Sequence, residues 1–205
     1  MGTVLDLIAS TLFGTMLLMI ILNANDMAAE TQSVYNGDVL VQEMLVSTAR
    51  LVEGEFRNMG FGVEDGHATV LVADTNCISF LTDLDRDGGV LDTITYSVGP
   101  VSEMRKTQNE LDRYLYRKVN GGAPMKVGAV TVFKLQYAAA SGEQLPTPVQ
   151  FDRLSEIYVV EVTMEVQNPY AISYRAAQLN PGDRTAMFSS SLWQQTRLAS
   201  QNSRR

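Results

Sequence analysis

The chain has 205 residues, a net charge of −7 and an isoelectric point near 4.7. That length holds one globular domain plus an appendage and allows a sizeable core, while the acidic balance argues against nucleic acid as a partner, because neutralising phosphates takes a basic face. With one cysteine, Cys77, and one histidine, His67, an intrachain disulfide and a cysteine-built zinc site are excluded.

The first element opens "MGTVLDLIASTLFGTMLLMIILNAND", in which Asp6 is the only charge before Asp26 and no basic residue occurs. From Val4 to Leu22 the run is apolar over about 19 residues, enough to cross a hydrocarbon core. A secretory signal would begin basic and end at a small-residue cleavage site; the missing basic start makes that reading the weaker one. No flanking lysine or arginine orients the segment by the positive-inside rule, and Asp6 stands where a myristoylation signal needs Ser or Thr. Between Asn23 and Met59 there is no proline, and Val41, Leu45, Thr48, Val52, Phe56 and Met59 fall on one helical stripe. Glu43, Arg50, Glu53 and Arg57 lie mostly elsewhere, and Gly60 supplies a stop. The pattern predicts one helix of nearly 60 residues, about 85 Å long at 1.5 Å per residue. Residues 1–25 form its apolar part and 26–60 its amphipathic part, with Gly14, Asn36 and Gly37 as weak points where it bends or melts.

From residue 68 the period changes to two. Predicted strands are "ATVLVA" (68–73), "CISFLT" (77–82), "DTITYSV" (92–98), "DRYLYRKV" (112–119), "GAVTVFKLQYA" (128–138), "EIYVVEVTMEVQ" (156–167) and "RTAMFSSSLWQQT" (184–196). In the fifth, Val130, Val132, Lys134 and Gln136 alternate with Thr131, Phe133, Leu135 and Tyr137. Turn chemistry separates the runs ("DRDGG", "NGGAP", "SGEQLPTP", "NPGD"), and no gap holds an amphipathic crossover helix, so antiparallel pairing is expected. The fold class is α+β: a long N-terminal helix (1–60) packed on an antiparallel β-rich domain (61–205).

Chemistry-bearing motifs are sparse. "DLDRDGG" places Asp83, Asp85 and Asp87 before Gly88, the first half of an oxygen-ligand calcium loop, with Asp92 as a further donor. Ile94 stands where such a loop carries its closing glutamate, and Asp and Gly also favour a plain hairpin turn for their own backbone reasons. No cofactor is expected, calcium being the one candidate and the plain turn the preferred reading. Cys77 reads as a buried strand residue and His67 as a turn residue. Without a nucleophile elbow, a phosphate-binding glycine loop or a His-Glu-x-x-His helix, an enzyme is not expected. Tyr96, Tyr114, Tyr116, Tyr137, Tyr158, Tyr170 and Tyr174 lie on predicted strands or at their ends and read as packing.

Taken in order, the apolar helix, its continuation ending "FRNMGFG", then "ISFLTDLDRDGGVLDTITYSV", "LYRKVNGG", "VTVFKLQY" and "VVEVTMEV" resemble type IV pilin-like proteins, most closely the W-type minor pilins and J-type minor pseudopilins. The resemblance implies a structural subunit of an extracellular filament or a periplasmic pseudopilus, held in the inner membrane before assembly and polymerising with itself and other pilin-like subunits through the N-terminal helix. It departs from the family at the prepilin peptidase site: Gly2 is followed by "TVLDLI", with neither a basic leader nor the usual phenylalanine and glutamate. Asp6 falls one position from the family's acid, which is taken to pair with a neighbour's N-terminal amine. It is therefore an assembly residue by resemblance, with Gly14, or else an acid at the headgroup level. A carboxylate alone in hydrocarbon needs a partner. The alternative from another class is a permanently membrane-anchored envelope domain with a binding or scaffolding role.

Overall fold

The computed structural model describes residues 2–64, 67–104, 107, 109, 111–168 and 191–199. Its first element is a single helix, α1 (Gly2–Arg57), 56 residues without interruption. The absence of proline permits that length. What holds its second half is the apolar stripe: Val41, Leu45, Thr48, Ala49, Val52 and Phe56 are buried, and Met59 follows them into the core. Each stripe position read from the sequence faces inward. Beyond the helix, Gly60 and Gly62 both take φ of +79°, a left-handed conformation that turns the chain back on itself. The turn is stitched to the sheet: Gly60 N donates to Leu81 O at 2.8 Å, and Asp83 N to Phe61 O at 2.8 Å.

The strands are β1 (Val70–Ala73), β2 (Cys77–Thr82), β3 (Asp92–Val98), β4 (Arg113–Val119), β5 (Met125–Val130), β6 (Val132–Ala138), β7 (Gln144–Leu145), β8 (Val159–Gln167) and β9 (Ser191–Ala199). They form two antiparallel sheets, ordered β1-β2-β3-β4-β5 and β7-β6-β8-β9, so the fold is α+β with a long helix laid on both sheets. Phe56 is fully buried at the junction, with edge-on ring contacts to Phe80 at 5.4 Å and Tyr96 at 5.6 Å. Helix and sheets thus share one hydrophobic core.

Residues 128–138, expected as one strand, are two strands in different sheets. Thr131 lies between β5 and β6; its amide and hydroxyl both donate to Glu165 O, at 2.8 and 3.0 Å. Leaving one ladder for another changes the phase of the alternation. Val130 is 2 % exposed, whereas Val132, assigned to the same face by the period of two, is 36 % exposed. The beginning of the predicted strand 156–167 is likewise corrected, since Phe151–Glu156 is a short 3₁₀ helix and pairing starts at Val159. Of the last predicted strand, residues 184–190 lie outside the described residues, as do the "NPGD" turn, Tyr170 and Tyr174.

Asn36 and Gly37 do not melt the helix; α1 runs through them and through Gly14. At Gly37 the reason for glycine is close approach. A Cβ there would stand 2.5 Å from Asn168 Oδ1 and 2.7 Å from its Nδ2. Asn168 is fully buried against the helix, donating to Val34 O at 3.0 Å and to Asp38 Oδ1 at 2.8 Å. Gly54, by contrast, has open space where a Cβ would go. Gly54→Ala is expected to raise domain stability by about 0.5–1 kcal/mol through helix propensity. Gly37→Ala gains the same propensity but displaces a buried, hydrogen-bonded amide, and is expected to lower stability by about 1–2 kcal/mol net. Denaturant titration of the two variants checks the opposite signs.

Candidate functional site

Residues 2–33 of α1 are all exposed; the helix leaves the domain at Val34 and continues for about 48 Å. Over its most apolar 18-residue window the mean hydropathy is 2.2 and none of the window is buried by the rest of the chain. The apolar surface runs around the whole circumference: Leu5, Leu7, Leu12, Phe13, Met16 and Met19 are each between 59 and 69 % exposed. Length and composition make it a helix able to cross a membrane.

The polar groups within this segment are few and mostly self-satisfied. Ser10 Oγ donates to Leu7 O at 3.0 Å, Thr11 Oγ1 to Ile8 O at 2.9 Å, and Thr15 Oγ1 to Leu12 O at 2.9 Å. Hydroxyls closed on the preceding turn expose no unmet hydrogen bond to hydrocarbon. Asp6 is the exception, a carboxylate exposed on the apolar helix. Gly14 lies about two turns further along, with nothing within 4 Å of a Cβ built on it. Asn23, Asn25, Asp26, Glu30 and Gln32 then bring polarity back before the helix docks.

Docking rests on two acids that the periodicity alone assigned to no task. Glu55 takes the Arg117 guanidinium in a forked ion pair, Nε to Oε1 at 2.8 Å and Nε to Oε2 at 3.0 Å, and accepts the Tyr96 hydroxyl. Tyr96 and Arg117 are cross-strand partners on β3 and β4, so the contact fixes the helix to the first sheet. Burial, then the Glu55 carboxylate, pushes the Tyr96 hydroxyl well above the usual tyrosine range, and the Glu55 hydrogen bond raises Arg117. Glu53 serves the other sheet: Gln194 Nε2 and Thr196 Oγ1 on β9 both donate to its Oε1 at 2.8 Å. Glu53 lies off the stripe read from the sequence, yet it is half-buried and fastened to β9. The legible signal was the pair of acids flanking Val52 and Phe56 on the docking side.

The "DLDRDGG" loop joins β2 to β3. Asp83, 6 % exposed, spends both oxygens on the backbone, accepting from Arg86 N at 2.7 Å and Gly88 N at 3.0 Å. Asp87 Oδ1 accepts from Gly89 N at 2.7 Å, and Asp92 bonds Leu84 N at 3.2 Å and the Asn120 side chain at 2.5 Å. Asp85 stands exposed at the tip. These are the bonds of a tight turn, with Arg86 (φ +56°) and Gly88 (φ +72°) in the left-handed region. Among the described residues no three His, Cys, Asp or Glu side chains are brought together as a metal site. Cys77 is half-buried on β2, and burial together with Asp74 pushes its thiol above the ordinary range; His67 is exposed in a bend.

Comparison with family models, with curated proteins and with solved structures finds no match to this chain.

Proposed function

We propose that the chain is a structural subunit of a type IV pilus-like filament or pseudopilus, assembled through α1 and held in the inner membrane until it assembles. The observation that carries the reading is one continuous 56-residue helix whose first part is apolar all round and uncovered, and whose second part is built into the core of a β domain. A helix apolar on every side must be buried by lipid or by sister helices, and a rigid continuation into a folded domain lets the same helix serve in both. The order of motifs along the chain adds its resemblance to pilin-like proteins, and the function is assembly rather than chemistry. The test is to purify the full chain in mild detergent, remove the detergent, and image the product by electron microscopy. Ordered filaments are expected. Discrete particles of fixed small size would overturn the filament and leave the permanently anchored envelope domain in its place.

A further inference from the structure

The bases of α1 are confined to its docked end, where the acids Glu53 and Glu55 are already engaged with the sheets. Every charged residue before Arg50 is an acid, and Arg50 and Arg57 are its only bases. Asp26 and Glu30, one turn apart, are exposed on the stretch that precedes docking; Arg50 and Arg57, two turns apart, are exposed on the docked stretch. Among the described residues none of these four side chains takes part in a hydrogen bond or ion pair. Between the two pairs the helix shows an uncovered apolar strip: Tyr35 is 67 %, Leu40 63 % and Val39 38 % exposed. A docked amphipathic helix ordinarily turns polar residues outward, so acids, apolar strip and bases all await a partner.

We propose that the partner is a second copy of this chain, lying parallel and shifted along the axis so that Asp26 and Glu30 of one copy face Arg50 and Arg57 of the next. This rests on the filament reading and specifies its register. At 1.5 Å per residue, Asp26 precedes Arg50 by about 36 Å and Glu30 precedes Arg57 by about 40 Å, so one shift of about 38 Å brings both pairs within side-chain reach. The same shift sets the neighbour's apolar run, Val4–Leu22, level with residues from about 29 to 47. Tyr35, Val39 and Leu40 fall inside that span and are covered. Charge therefore selects the offset, and the hydrophobic surface is compatible with it. Exposed ion pairs add little affinity in water, but like charges placed opposite one another are strongly disfavoured, so the pairs act by fixing register.

The test uses the full chain and pelletable polymer formed on removing detergent at low salt. Reversing the acids (Asp26→Arg with Glu30→Arg) or the bases (Arg50→Glu with Arg57→Glu) is expected to cut polymer yield about tenfold or more. Combining all four substitutions, which restores opposite signs, is expected to return the yield to near that of the parent. Because among the described residues the four side chains form no hydrogen bond or ion pair, the thermal unfolding of every variant should match the parent, which separates lost register from lost folding. Reversed variants that polymerise like the parent overturn the pairing while leaving the filament standing. Absence of polymer from the unmutated chain overturns the filament and the pairing with it.

Discussion

A chain beginning at Ala28 is expected to be monomeric in detergent-free buffer and to unfold within about 2 °C of the full-length protein held in detergent. Among the described residues the segment it lacks contributes nothing to the core: residues 2–33 are exposed throughout, and burial on the helix starts at Gly37. Deleting it therefore removes no core contact. It does remove the uncovered run Val4–Leu22, a surface that water cannot accommodate without association. Sedimentation and circular dichroism of the two chains check the pair of outcomes. A full-length protein that stayed monomeric without detergent would remove the basis for a membrane segment and a filament alike. A shortened chain that lost its β signature would mean that the free part of the helix supports the domain.

The largest single-residue effect is expected at the other end of α1. Phe56 is fully buried between Phe80 of β2 and Tyr96 of β3, in edge-on contact with both rings. Phe56→Ala empties that space, and large-to-small changes of this kind lower stability by about 3–5 kcal/mol. Against a typical total of about 5–15 kcal/mol, the loss is enough to populate unfolded or undocked chain near room temperature. Phe56→Leu refills part of the volume and is expected to lower stability by about 1–2 kcal/mol. Urea unfolding of the chain from Ala28 measures both; an alanine variant within 1 kcal/mol of the parent would show that the helix is not held through this ring.

The helix stripe could be read from the sequence because its information is local and periodic. Val41, Leu45, Thr48, Val52, Phe56 and Met59 recur every three or four residues, and that spacing has one geometric meaning. Strands β2 and β3 were bounded by turn residues and appear at their predicted limits. What escaped was what depends on a partner far along the chain. Gly37 looked like a weakness because propensity weighs the residue alone, whereas its use is to admit Asn168. The passage from β5 to β6 carries no glycine or proline at Thr131, so nothing local announced the change of sheet. Asp83 offered itself as a cation ligand by spacing, and only the folded loop reveals that its oxygens hold backbone amides. The two assembly residues named from the sequence, Asp6 and Gly14, both lie on the uncovered part of the helix.

The way α1 is fastened also decides how the molecule bears load. One attachment is Asn168 lodged at Gly37; the other is the cluster at Glu53, Glu55 and Phe56, followed by the turn sewn to β2 at Gly60. They sit about 25–30 Å apart along the axis. Tension applied to the free end runs parallel to the contact between helix and sheets, so both attachments and the stripe between them are strained together. Peeling would break them one after another, but the direction of the free end makes the pull a shear. A β domain carried on such a rod resists extraction with its whole interface at once.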